Sequence, residues 1–166
     1  MNWQVCAIYV LFSLFPGEYA KGSDPDKREI ICRNLTAFHD LWESSAYGDD
    51  PGETETAAWI LMNSYGNDEF VIWPPTKARG SATWRGSIPG HVIAQVHIHP
   101  RNFDPKPSKN DMRIAFRIKA PIYVISKDGI WSVNPKGHYK REAFLGWFEK
   151  MSKQCPHGKK SKVPSK

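Results

Sequence analysis

The feature that most narrows what this chain can become is the stretch 91–116, HVIAQVHIHPRNFDPKPSKNDMRIAF. It opens as an apolar strand with His97 and His99 at its far end, breaks on Pro100, Pro105 and Pro107, and restarts as a helix through Ser108 and Asp111. Side chains alternate across a strand and each residue advances about 3.3 Å, so the two histidines are expected on one face roughly 6.6 Å apart. Ser-x-x-Asp before an apolar run is a helix-capping signal, with Ser108 as N-cap and Asp111 completing the box. The proline-rich loop lets the chain fold back, so Asp111 on the first helical turn can join the histidines. Two imidazoles and one carboxylate, with a fourth position left to water, form the donor set of a catalytic zinc site rather than a structural one. The structural alternative is a plain cap beside two surface histidines, and the cap and ligand roles are compatible in one residue.

The order of these residues resembles the JAMM motif of the JAB/MPN zinc metallopeptidases, in which a glutamate is followed by His-x-His-Pro and then Ser-x-x-Asp. Here it reads His97-Ile98-His99-Pro100 and Ser108-Lys109-Asn110-Asp111, and Glu55-Thr56-Ala57-Ala58-Trp59 is similar to the stretch that carries the family's glutamate. Ile98 stands where the family usually has a small polar residue, on the face opposite the ligands, and the loop from His99 to Ser108 is one residue longer than the commonest form. The resemblance implies an α/β (α+β) fold, JAB/MPN-like and cytidine-deaminase-like, with a central mixed sheet flanked by helices. It further implies Zn2+ held by His97, His99 and Asp111, Glu55 as general base, and Ser108 as hydrogen-bond donor to an oxyanion. The reaction it implies is hydrolysis of a peptide or isopeptide bond in a peptide or protein substrate. Glu53 is the alternative base; apart from the motif, both carboxylates read as solvated groups in an acidic turn.

With 166 residues, 40% of them hydrophobic, the chain has room for one domain, and its seven tryptophans and eight phenylalanines make the core aromatic. The net charge of +6 suits an anionic partner, but much of the excess lies in the tail, and specific nucleic-acid recognition is not expected. An apolar run at 5–15, ended by Pro16-Gly17, is too short for the roughly 20 residues of a membrane span and fits the h-region of a secretory signal. No cation precedes the run, and Glu18 sits where cleavage after Ala20 would prefer a small residue. The expected organisation is therefore a signal peptide over 1–20, a metallopeptidase-like domain over 21–152 and a basic disordered tail over 153–166, in a secreted or periplasmic protein, or a cytoplasmic one if the N-terminus is retained. Removal of 1–20 takes Cys6 and leaves Cys32 and Cys155, which either bridge the first helix to the last or remain two thiols.

Along the rest of the chain, residues 23–46 have helical spacing, and 57–62 and 69–73 read as two strands joined by a hairpin turn. Residues 74–90 form a long irregular link, functional or disordered by its length; the resemblance implies that it lies beside the active site as a substrate lip, with Trp84 and Arg85 as candidate contacts. The helix through Asp111 runs to Lys119, strands at 121–126 and 130–135 flank an Asp128-Gly129 turn, and 139–151 reads as a closing helix. The His-Glu-x-x-His and zinc-deaminase signatures are absent, as are repeats and Gly-rich phosphate loops. A non-catalytic alternative remains: an exported basic module that holds an anionic polymer or protein partner, with or without a structural metal. Any partner subunit is left unspecified by the sequence.

Overall fold

The computed structural model describes residues 27–49, 52–75 and 81–155, so the signal-peptide expectation and residues 156–166 lie outside the described residues. The chain runs α1 (Lys27–Arg33), α2 (Leu35–Ser44), β1 (Ala57–Met62), β2 (Asp68–Ile72), β3 (Val92–Ile98), α3 (Lys109–Ile118), β4 (Ile122–Ser126), β5 (Gly129–Val133), β6 (Tyr139–Phe144) and α4 (Trp147–Gln154). Six strands form one sheet in the order β2-β1-β3-β4-β5-β6. β3 and β4 are parallel and the other four pairings antiparallel. A parallel pair needs a crossover, and α3 supplies it after the proline-rich loop that follows the two histidines. The mixed sheet flanked by helices is thus what the chain forms.

β3 lies inside the sheet and uses both faces, which is why its sequence reads as a nearly continuous apolar run. Ala94, Val96 and Ile98 enter a large core with Ile30, Phe38, Leu41, Tyr123 and Met151. Ile98 is fully buried there, so the apolar residue between the histidines serves the core on the face away from them. Gln95 and His97 alternate to the opposite face, where Ala115 of α3 packs on Ile122, Val124, Trp131 and Val133 in a smaller core. Ala57 sits directly opposite His97 in the β1–β3 ladder, and its small side chain leaves room for the imidazole.

Two expectations need correction. The helix expected over 23–46 is broken at Asn34, whose side-chain amide donates to the Ile30 carbonyl (3.0 Å) and to Asp68 Oδ2 (2.6 Å). A side chain that bonds its own backbone interrupts the regular ladder. The closing helix expected over 139–151 is two elements, because residues 139–144 pair with β5 as an edge strand. Gly146, at φ 72°, then starts α4, which continues to Gln154 and so takes in the first residues assigned to the tail. The apolar spacing of Phe144, Leu145, Phe148 and Met151 is shared between a strand, a turn and a helix. Gly129 makes the close β5–β6 pairing possible: at φ 120°, any Cβ would run into the Ala143 carbonyl.

Cys32 and Cys155 form a disulfide across 123 residues of chain, tying α1 to the end of α4. Loop-closure entropy for so long a span makes such a bond worth about 2–4 kcal/mol in typical cases. The Cys32→Ser/Cys155→Ser variant should therefore melt roughly 6–15 °C below the parent by circular dichroism. An unchanged melting temperature would contradict the bridge.

Candidate metal centre

The site is assembled from the end of β3, the start of α3 and the residues leading into β1. Ser108, in extended backbone, is the N-cap of α3: its hydroxyl accepts the Asp111 N–H (3.2 Å), and Asp111 Oδ2 accepts the Ser108 N–H (2.6 Å). The expected capping box is therefore formed, and it holds the Asp111 carboxylate over the end of β3. Asp111 Oδ1 lies 3.5 Å from His97 Nε2 and its Oδ2 lies 3.8 Å from His99 Nε2. The imidazole centroids are 4.9 Å apart. One ligand atom from each of the three residues lies within 4.8 Å of the others.

The hydrogen bonds behind the rings decide what those atoms are. His99 Nδ1 is 2.7 Å from the Asp104 carbonyl, which only accepts, so in the neutral ring the proton is on Nδ1. His97 Nδ1 is 3.1 Å from Gln95 Oε1, whose amide is oriented by donation from its nitrogen to the Val96 carbonyl (3.2 Å). In its neutral form each ring therefore turns its Nε2 lone pair toward the carboxylate. Burial, reinforced by His99 and only partly offset by Asp111, lowers the His97 pKa from 6.5 to about 4, so that ring is neutral at physiological pH. Burial also opposes the Asp111 charge, yet His97, the Ser108 hydroxyl and backbone N–H, and His99 outweigh it and hold that carboxyl below its usual range. Two imidazole nitrogens and a carboxylate oxygen thus converge, a donor set able to hold a cation. Histidines oriented through Nδ1 by carbonyl oxygens are the common supporting pattern of metal-binding imidazoles. Tetrahedral zinc holds its ligand atoms about 3.3 Å apart, so the residues present fit it after a small inward movement.

The carboxylates at 53 and 55 are separated by the fold. Ile98 N–H donates to the Thr56 carbonyl (2.9 Å), so the β1–β3 ladder extends past Ala57 and strand parity puts Glu55 on the histidine face. Glu55 lines a cavity of about 350 Å³ together with His99, Ser108, Asp111, Ala82 and Phe103. Burial pushes its carboxyl from 4.5 up to about 7, with the Ala82 backbone bond opposing the rise and the Asp111 charge adding to it. Glu53 is buried elsewhere, its Oε1 accepting the backbone N–H groups of Gly48 (3.1 Å) and Arg101 (2.7 Å). It holds two loops and does not line the cavity. The expected lip does reach the site, through Ser81 and Ala82. Trp84 packs instead against Trp59 and Trp73, with centroids 6.0 and 5.9 Å away, and its indole N–H donates to the Ser87 carbonyl. Arg85 is exposed and does not line the cavity. Phe103, Asp104 and Lys106, in the loop between the histidines and Ser108, are lining residues that sequence reasoning missed; the length of that loop was the available signal.

No family model matches the sequence, and no curated protein matches it. A solved structure, that of a JAB1/MPN domain protein from Archaeoglobus fulgidus, is 20% identical and matches 66% of this chain and 92% of its own, with a TM-score of 0.42. The chemistry of the site therefore stands on the residues themselves.

Two measurements follow from this geometry. Protein purified without chelator should carry about one zinc per chain by elemental analysis, and a His97→Ala/His99→Ala variant essentially none; equal zinc in both would refute the ligand set. In zinc-free protein, folded Glu55 keeps its proton between pH 4.5 and about 7 while the unfolded chain has released it, so its contribution to stability falls as pH rises through that window. With chelator present, Glu55→Gln should melt higher than the parent near about pH 8 but not near about pH 4. The same melting difference at both values would count against a buried, proton-holding carboxyl.

Proposed function

We propose that the protein is a zinc-dependent hydrolase of JAMM type that cleaves a peptide or isopeptide bond in a peptide or protein substrate. The observation that carries this reading is the convergence of His97, His99 and Asp111, one ligand atom from each within 4.8 Å of the others, beside a cavity that Glu55 and Ser108 line. Zinc held by His97, His99 and Asp111 supplies a Lewis acid that lowers the pKa of water from about 15.7 toward 7. Glu55 takes the proton of the attacking water and returns it to the departing amine. Its raised pKa suits a base that must both accept and release a proton near neutrality. Ser108 spends a lone pair on the Asp111 N–H, leaving its hydroxyl proton to offer. That proton supports the Asp111 carboxylate at rest and can turn to the oxygen of a tetrahedral intermediate, a contribution of about 3 kcal/mol for a single donor. The cavity of about 350 Å³ accommodates a short peptide segment at the scissile bond.

The test is a peptide-library cleavage assay with and without chelator, followed by the two glutamate variants. Glu55→Gln should keep zinc and fold while losing about 10²- to 10⁴-fold in rate. Glu53→Gln should lower the melting temperature, because the two N–H groups it holds lose a charged acceptor, yet turn over normally per folded molecule. Full activity in Glu55→Gln with loss in Glu53→Gln would move the base to Glu53, full activity in both would remove the mechanism, and no cleavage of any library peptide by the zinc-loaded parent would favour the binding-module alternative.

A further inference from the structure

The loop over 100–107 does two things beside the metal centre. Its backbone braces the site: the Asp104 carbonyl accepts from His99 Nδ1 (2.7 Å), and the Arg101 N–H donates to Glu53 Oε1 (2.7 Å). Two further bonds fold the loop on itself, Phe103 N–H to the Pro100 carbonyl (3.0 Å) and Lys106 N–H to Asp104 Oδ1 (3.0 Å). Pro100, Pro105 and Pro107 restrict the backbone between them. None of these bonds uses the side chain of Phe103 or of Lys106. Both residues line the cavity of about 350 Å³ that also holds Glu55, Ser108 and Asp111.

Phe103 is 44% exposed, an aromatic ring left uncovered beside a polar cavity. Lys106 is exposed and, among the described residues, forms no ion pair and is the one Lys or Arg lining the cavity. The acids there are already engaged: Asp111 faces the histidines, Glu55 is the base of the proposed reaction, and Asp104 Oδ1 is taken by the Lys106 N–H. An ammonium without a partner, carried with an uncovered ring on a loop that is already ordered, suits a carboxylate on a short apolar stem. The head gains a charge-assisted hydrogen bond, the stem gains the ring, and an ordered loop keeps the cost of binding low. Because the same cavity holds Asp111 and Glu55, a group seated against Lys106 lies close in the substrate chain to the bond being cleaved.

We propose, resting on the hydrolase reading of this site, that Lys106 determines specificity by pairing with a substrate carboxylate close to the scissile amide, with Phe103 against the stem that carries it. The carboxylate is an Asp or Glu side chain or the end of the substrate chain. The experiment compares cleavage by the zinc-loaded full chain of pools of end-blocked hexapeptides fixed with Glu, Gln or Lys at one position, and of Gln pools with a free C-terminus, at low and high salt. Glu should be preferred over Gln by about tenfold, and less so at high salt. A preference for the free C-terminus alone assigns the carboxylate to the chain end. Lys106→Glu should move the preference from Glu to Lys, a reversal that a structural role does not produce. Phe103→Ala should slow all pools roughly three- to tenfold and leave the charge preference in place, and both variants should keep the parent's zinc content. A second arm needs no turnover: labelled Glu and Gln pools are titrated by fluorescence anisotropy into the zinc-loaded Glu55→Gln variant. Tighter binding of the Glu pool there, with no cleavage by the parent, would keep the Lys106 site and remove the hydrolase reading. Equal cleavage of the Glu, Gln and free-ended pools, or a Glu preference that persists in Lys106→Glu, would overturn the Lys106 proposal and leave that reading standing. No pool cleaved and none bound would overturn both.

Discussion

One carboxylate closes a helix cap and also faces two imidazoles. Asp111 Oδ2 accepts the Ser108 N–H while also lying near His99, and Oδ1 looks at His97. A long flexible acid could reach the same place in many conformations; a short one locked in a capping box has few. The start of α3 is thereby pinned over the end of β3, and the loop of three prolines has to close the distance between them. β3 itself is held on both sides, antiparallel to β1 and parallel to β4, so the histidines come from one of the best-supported strands of the sheet. The ligand geometry is thus a product of sheet register and helix capping, with the loop free to differ in length.

The same register argument explains why two carboxylates two residues apart do different work. If the strand continued, Glu53 and Glu55 would share a face; instead the backbone turns, with Thr54 N–H bonded to Ser45 and Glu53 N–H to Asp49. Glu53 is swung toward the α2 end, where it ties Gly48 to Arg101. Glu55 remains on the histidine face and is covered by Ser81 and Ala82. What keeps that cover in place is aromatic: Trp84 wedges against Trp59 of β1 and Trp73 beyond β2. The lip therefore acts on the site by desolvating a carboxyl, and its tryptophan is an anchor rather than a contact.

Signals that depend on near neighbours in sequence were legible. The apolar run of β3, the Ser-x-x-Asp cap and the Asp-Gly hairpin rest on local chemistry, and the fold uses each, whereas the two remaining cysteines left a bridge and two thiols open until the structure joined them. The failures were places where a distant partner decides. The spacing of Phe144, Leu145, Phe148 and Met151 satisfies a helix, but β5 offers residues 139–144 a row of backbone partners, and Gly146 divides the pattern. Asn34 breaks a helix because Asp68, far along the chain, takes one of its amide hydrogens. The choice between Glu53 and Glu55 likewise turns on Arg101, which nothing in the local sequence connects to either.

The converging acceptors also bear on stability. His97 and Asp111 are buried together, with Glu55 near enough to feel the Asp111 charge. Such a site costs folding energy wherever a cation does not neutralise it. The α3 side contributes little apolar burial to offset that cost, since its core is five buried residues and Phe116 of the same helix points to solvent. The larger core on the other face, closed by the disulfide, carries the domain instead. A sheet that places most of its apolar packing on one face can hold a buried polar site on the other. A cation held there would link its own affinity to folding stability.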